Sequence, residues 1–183
     1  MRTYIASISI LLLMIVFTEP SQAQDKSKSD VKKQQKMEMR KNKDAILKLV
    51  DQKSFVIKAD MLQDRYLNNY NVNSTVNFVK IDSNKAVVQF AFDNVVGWNG
   101  VGGLTEEGRL SGYRVDGRKG LDPVSVIADI SSSGSGFLTL YITIFNDGMA
   151  RATVTGSFGS RITFSGNFVS LDGARIYQGT SRY

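Results

Sequence analysis

The chain has 183 residues, a net charge of +6, and neither histidine nor cysteine. It therefore lacks the side chains for Ser-His or Cys-His nucleophile pairs, for disulfides and for ordinary zinc sites. Carboxylate, hydroxyl, Lys, Arg and Tyr chemistry remains, but no catalytic motif is recognisable, so we predict a non-enzyme without metal or other cofactor.

Residues 1–23 have the pattern of a secretory signal peptide. A basic start is followed by an apolar run from Ile5 to Phe17, and the small residues Ser21 and Ala23 precede Gln24. The run is shorter than the roughly 20 residues that span a membrane. We therefore predict cleavage between Ala23 and Gln24 and no stable membrane span afterwards. Because no cysteine follows, we expect a soluble protein of the periplasm or extracellular space rather than a lipoprotein.

Residues 24–53 are predicted to form a polar linker followed by a basic helix. The helical pattern covers Val31–Lys53, and Asp30 is a plausible N-cap because its carboxylate can accept free backbone N–H groups. Four apolar residues at helical spacing should face the rest of the protein. They are Met39, Ile46, Leu47 and Val50.

The positive charge is concentrated in this helical segment. Residues 25–48 hold nine Lys or Arg and four Asp or Glu, whereas residues 49–183 hold thirteen and twelve. The basic isoelectric point is therefore a property of one segment, and we expect no nucleic-acid partner.

Residues 54–183 are predicted to form an antiparallel β domain. Apolar residues alternate with polar ones in short runs, and Asn146-Asp147-Gly148 is the clearest hairpin signal. Sequential hairpins indicate an all-β meander of about eight strands in a curved sheet, either barrel-like or a sandwich. The predicted strands are Phe55–Met61, Val76–Ile81, Lys85–Phe92, Arg109–Val115, Pro123–Ser131, Phe137–Phe145, Met149–Thr155 and Arg161–Ser170.

The segment 97–108 is the most distinctive part of the β domain. It holds the single Trp, five of the 16 glycines and the adjacent pair Glu106 and Glu107. Glycines let backbone N–H groups approach a ligand, and Trp98 offers a flat apolar face; alternatively, the segment is a bulged strand connection. The candidate ligand-binding residues are Gly97, Trp98, Asn99, Gly100, Gly102, Gly103 and Glu106.

The carboxylates give little support for catalysis. Glu106 and Glu107 would point to opposite faces of a strand, so they cannot form the acid–base pair of a glycosidase by themselves. Asp60, Asp93 and Asp129 lie within apolar strands, where we expect each on the solvent side.

The order of segments in the chain resembles a known family. After the signal peptide and the Lys-rich helix come FVIKADM, VNFVKIDSNKAVVQFAF, GWNGVGGLTEEG, GFLTLYITIFNDGMARATV and RITFSGNF. Together these are similar to the exported Bacteroidetes family catalogued as domain of unknown function 4251 (DUF4251). The resemblance implies an exported Gram-negative protein with a mostly β fold and no known cofactor, and it supplies no catalytic residues.

The sequence thus favours an exported, non-catalytic binding or cell-envelope-associated domain, with an envelope polymer or a small ligand as its partner. One alternative is a lipocalin-like carrier of a small apolar ligand, and another is a carboxylate hydrolase acting on glycans. A barrel interior filled by aromatic and aliphatic side chains would argue against the carrier. The residues expected to fill it are Phe90, Phe92, Phe137, Leu140, Phe164 and Phe168.

Overall fold

A computed structural model of the chain describes residues 22–92, 97, 99–156 and 161–181. The first 21 residues of the predicted signal peptide lie outside this range. The chain divides into two compact units, Met1–Met37 and Glu38–Tyr183. Helix α1, Gln22–Asp51, supplies the described residues of the first unit, and its remainder belongs to the second unit with all the strands.

Helix α1 covers more of the chain than the sequence predicts. It includes residues 24–30, expected to be a linker, and Asp30 lies inside the helix rather than at its N-cap. This segment has neither Gly nor Pro, so nothing in it breaks a helix. The chain leaves the helix through Lys53, which has a left-handed φ of 51° and donates its N–H to the Val50 carbonyl at 3.1 Å.

Nine antiparallel strands follow within the described residues. The short strand β2 and the first six residues of β5 were not predicted as strands. The bounds are β1 Ser54–Gln63, β2 Asn69–Asn71, β3 Phe78–Asp82, β4 Lys85–Ala91, β5 Gly103–Asp116, β6 Val124–Ser132, β7 Gly136–Ile144, β8 Met149–Gly156 and β9 Arg161–Ser170.

Eight of these strands form a closed barrel. From β3 to β9 each strand pairs with the next, and β1 pairs with both β3 and β9. The remaining strand, β2, pairs with the last residues of β1. The predicted all-β antiparallel fold with one helix is confirmed, and the β1–β9 pairing makes it a barrel rather than a sandwich.

The inward side chains of the barrel form one apolar core. Leu140 and Phe164 are fully buried, and Phe90, Phe92 and Phe168 pack against the core while partly buried. The prediction for Phe137 is wrong, since this residue is 70% exposed. It lies one position out of phase with the inward residues of β7, so its side chain points outwards.

Residues 38–51 of α1 pack against one end of the barrel, here called the helix end. Ile46 and Val50 are buried within the barrel core, whereas Met39 at the start of the predicted stripe is 47% exposed. The Tyr113 hydroxyl on β5 donates a hydrogen bond to the Val50 carbonyl at 2.8 Å. The helix is therefore attached through its C-terminal part.

Two polar side chains of α1 hold the connections between strands at the helix end. Lys43 is 3% exposed, and its ammonium donates to the carbonyls of Lys119 at 3.2 Å and Asp122 at 2.7 Å. The Asn42 amide donates to the Asn146 carbonyl at 3.3 Å. Both contacts join the helix to connections that follow β5 and β7.

The β7–β8 connection confirms the predicted hairpin. Phe145 donates its N–H to the Met149 carbonyl at 2.9 Å, and Gly148 has a φ of 88°. A residue with a side chain would be strained in that conformation, which explains the glycine.

The C-terminal residues 171–181 have no periodicity but are ordered on the outside of the barrel. The Tyr177 N–H donates to the Thr75 carbonyl at 2.9 Å. Apolar side chains of this segment cover a second buried cluster, and the segment therefore acts as an outer layer. The cluster consists of Val56, Phe78 and Val87, with Leu171, Ala174 and Ile176 against it.

Candidate functional site

The glycine-rich segment lies at the end of the barrel opposite α1, here called the far end. Gly97, Gly100 and Gly102 belong to the β4–β5 connection, and Gly103 begins β5. A Cβ atom at Gly103 would lie 1.9 Å from the Phe90 carbonyl oxygen, so only glycine permits this close approach of the two strands. Gly100 and Gly102 have φ values of 74° and 87°, so these glycines shape the connection, but the β4–β5 register continues from Lys85 to Ala91 without a bulge. Trp98 lies outside the described residues.

Asn99 organises this connection from inside. It is 2% exposed, and its Oδ1 accepts the N–H groups of Val101 at 3.1 Å and Gly103 at 2.9 Å. Its Nδ2 donates to Thr105 Oγ1 at 3.2 Å, and its carbonyl accepts the Thr180 N–H at 3.1 Å. The polar atoms of Asn99 are thus engaged within the chain, and its side chain fixes the shape of the loop.

A buried amide on the outer face of β4 joins this loop to the C-terminal segment. Gln89 Oε1 accepts Thr105 Oγ1–H and the Gly179 N–H, each at 2.8 Å. Its Nε2 donates to the carbonyls of Val76 at 2.9 Å and Tyr177 at 2.8 Å. The sequence carries no signal for this role of Gln89, because an isolated polar residue in a strand usually faces solvent.

Glu106 points into the barrel. It is paired with Val88 of β4, which belongs to the core, and residues directly opposite in a strand pair share a face. Thr105 is bonded to Gln89 on the outer face, consistent with alternation along the strand. The Glu106 residue is 6% exposed, so its carboxylate is buried near the far end.

One oxygen of this carboxylate has a partner and the other has none among the described residues. Glu106 Oε2 accepts the Ser132 hydroxyl at 2.9 Å. Ser132 Oγ itself accepts the Gly134 N–H at 3.2 Å, which directs its single proton towards Glu106. Glu106 Oε1 is buried and unpaired within the described structure, and none of the described Lys or Arg residues forms an ion pair with it.

The neighbouring Glu107 has the opposite environment. It faces outwards and forms an ion pair with Lys85 at 3.5 Å. The two adjacent glutamates therefore point to opposite faces, as the strand pattern predicts, and Glu107 cannot assist Glu106 in acid–base chemistry.

Between Glu106 and the rim of the far end lies an apolar pair. Leu104 of β5 is opposite Phe90 of β4, two positions nearer the rim than Glu106 and Val88. Both side chains are half-buried. Phe92 continues this surface, with its ring centroid 6.2 Å from that of Phe90. A group that reaches Glu106 from the rim would therefore pass aromatic and aliphatic side chains.

The β1–β2 connection at the same end is ordered by a carboxylate. Asp64 accepts the side-chain amide of Asn68 at 2.9 Å and the backbone N–H of Tyr66 at 2.8 Å. The hydrogen bond from the Asn68 side chain is the main reason why the pKa of Asp64 is lowered. This carboxylate is engaged with its own loop, unlike Glu106.

A shallow apolar groove of about 290 Å³ lies at the helix end. Its apolar walls include Ile46 and Leu49 of α1 with Phe168 and Val169 of β9. None of the unpaired buried oxygens lines it, so the groove lacks the polar anchor found at the far end.

Within residues 22–92, 97, 99–156 and 161–181, Asp and Glu side chains do not gather in groups of three or more that could hold a metal ion. Among the described helices, none combines the length and apolar character needed to cross a membrane. Asp60 and Asp129 are exposed, as predicted, and Asp93 lies outside the described residues.

Comparisons with known proteins place the chain in a family. The model of DUF4251, a domain of unknown function, matches residues 25–168. A crystal structure of a DUF4251 family protein from Bacteroides eggerthii has 25% sequence identity and a TM-score of 0.59, over 72% of this chain and 89% of that one. The search of curated proteins finds no match. Because the family model covers most of the chain, this protein belongs to the DUF4251 family.

Proposed function

We propose that the protein is exported and that its barrel is a non-catalytic binding domain. The ligand site lies at the far end, between the glycine-rich connection and Glu106. The observation that carries this proposal is the buried, half-satisfied carboxylate of Glu106 in an otherwise apolar barrel. A buried carboxyl group with one unpaired oxygen costs stability, so its presence is more readily explained by function than by folding.

The N-terminal sequence supports export. Cleavage after Ala23 would leave every residue of the Glu38–Tyr183 unit in place. Protein isolated from the periplasm or culture medium of the native cells should begin at Gln24. Intact mass spectrometry measures this directly, and a full-length mass in the exported fraction would contradict cleavage.

The packed interior favours binding at one end of the barrel over enclosure of a ligand within it. Leu140 and Phe164 occupy the centre with fully buried side chains. This packing argues against a lipocalin-like carrier, which needs space for a ligand inside the barrel. The opposite orientations of Glu106 and Glu107 argue against a glycan hydrolase, which needs two carboxyl groups facing one cleft.

Native mass spectrometry of the exported protein tests the binding role. A retained adduct is expected in the wild type, and its loss in Glu106→Gln or Trp98→Ala would support a site at the far end. Glu107→Gln is the matched control, because it makes the same chemical change on the outer face of the same strand. An adduct-free native protein, or an adduct that survives both site variants, would contradict the proposal.

A further inference from the structure

We infer that Glu106 is the acceptor for a cationic N–H group, so that the ligand is a small primary or secondary amine with an apolar body. This inference rests on the proposed function and names the chemical class that the same site would take. The two oxygens of the carboxylate differ in the hydrogen bonds that they accept. Ser132 supplies a donor to Oε2, and Oε1 still lacks one within the described residues.

The residues around Glu106 indicate the charge of the group that would donate to Oε1. Val88 and Ile130 lie on the same inward face as Glu106 and Ser132, on β4 and β6, and both belong to the apolar core. A carboxylate surrounded by such groups gains most from a positively charged donor, because charge-assisted hydrogen bonds are about twice as strong as neutral ones. An anionic ligand would be repelled.

A metal ion fits this site less well than an amine. Calcium takes about 6–8 oxygen ligands, and magnesium requires about six in octahedral geometry. Glu106 contributes two oxygens, one of which already accepts the Ser132 hydroxyl. An ammonium group needs no such coordination shell: one N–H group can donate to Oε1 while its other N–H groups remain directed towards the rim and solvent.

The side chains between Glu106 and the rim define the rest of the ligand. The half-buried side chains of Leu104 and Phe90 lie between Glu106 and the rim, and Phe92 extends the same surface. An alkyl or aryl group attached to the nitrogen would contact these side chains while the N–H reaches Oε1. The filled core below restricts the nitrogen substituents to those that extend towards the rim.

n-Butylammonium chloride is a suitable probe, with 1-butanol as the uncharged analogue and tetramethylammonium as a cation without N–H donors. Titration of the exported, 15N-labelled protein should shift the amide signals of Gly134 and Ser135, which donate to Ser132 Oγ at 3.2 and 3.4 Å. The butylammonium affinity should fall by about tenfold or more in Glu106→Gln, since a hydrogen bond between charged groups is lost. It should be unchanged in Glu107→Gln.

Several results would overturn the inference. These are a wild-type protein that does not respond to butylammonium, equal affinity in wild type and Glu106→Gln, or equal binding of tetramethylammonium. If Glu106→Gln does not fold, Glu106→Met provides a second variant that fills the apolar site without charge. A native adduct that survives Glu106→Gln but is lost in Trp98→Ala would refute the amine acceptor while leaving the binding function intact. Absence of any native adduct, with amine binding retained, would refute the binding function alone.

Discussion

The two ends of the barrel differ in how their buried charged groups are satisfied. At the helix end, the Lys43 ammonium donates to two carbonyl oxygens. At the far end, the Glu106 carboxylate has a donor for one oxygen only among the described residues. Asn146 Oδ1 at the helix end is also unpaired, but a neutral amide costs less to bury than a carboxylate. One end is therefore organised for stability, whereas the other retains a group that costs stability.

The largest expected effect is at the helix end, where Ile46 fills the core. Ile46→Ala should lower the free energy of unfolding by about 2–5 kcal/mol, because it removes buried methyl groups and leaves a cavity. Met39→Ala on the same helix is the control and should change it by about 0.5 kcal/mol or less, since Met39 is largely exposed. Urea denaturation measures both, and equal effects would show that the helix is not docked in solution.

A second test at the helix end concerns the buried ammonium. Lys43→Met keeps the length of the side chain but removes the donor from the Lys119 and Asp122 carbonyls. The expected loss is about 1–3 kcal/mol, the usual cost of a lost hydrogen bond to a charged group. Lys41→Met on the exposed side of α1 is the matched control. If Lys43→Met is as stable as this control, the hydrogen bonds of Lys43 contribute nothing to the free energy of unfolding. The two ends would then not differ in how a buried charged group affects stability.

The far end should respond with the opposite sign. In ligand-free protein, Glu106→Met replaces a buried charge by an apolar side chain of similar size and should raise the free energy of unfolding by about 1 kcal/mol. Glu107→Met, at a position paired with Lys85 on the outer face, should give no such gain. Denaturant midpoints of the two variants measure the difference. A marked destabilisation by Glu106→Met would mean that the carboxylate supports the fold, contrary to our interpretation.

The sequence predicts the local features of this structure better than the long-range ones. Alternation in β5 indicates that Glu106 and Glu107 face opposite sides, and the Asn146-Asp147-Gly148 turn is a local signal. Barrel closure depends on pairing between β1 and β9, which are far apart in the chain and carry no mutual signal. The pattern also cannot tell which face of β5 is the inner one.

The hydrogen bonds of Gln89 on the outer face could not be predicted either, because they also join distant parts of the chain. Gln89 is a polar residue in an apolar strand, and the C-terminal residues show no period, so the sequence does not indicate that they meet. Gln89 is nevertheless fully buried, with four hydrogen bonds to Val76, Thr105, Tyr177 and Gly179. Asn99 was identified by its glycine-rich context, but its role within the loop follows from contacts that only the folded chain brings together.

A similarly small effect at neutral pH is expected at Tyr113, which joins β5 to the helix. Tyr113→Phe removes its hydrogen bond to the Val50 carbonyl and should cost about 1 kcal/mol. The pH dependence provides a sharper test. Burial, with a smaller contribution from the charge of Asp51, raises the pKa of the Tyr113 hydroxyl above its ordinary value of 10.0.

The unfolded chain therefore releases this proton at a lower pH than the folded protein. The stabilising contribution of Tyr113 is fully present below pH 10.0 and is lost as the pH rises through the folded-state pKa. Unfolding free energies between about pH 8 and 11 should thus fall more steeply for the wild type than for Tyr113→Phe. Tyr141→Phe is the control, because Tyr141 is 50% exposed. Equal slopes in wild type and Tyr113→Phe would mean that the Tyr113 hydroxyl is solvated and that the helix end is not closed around it.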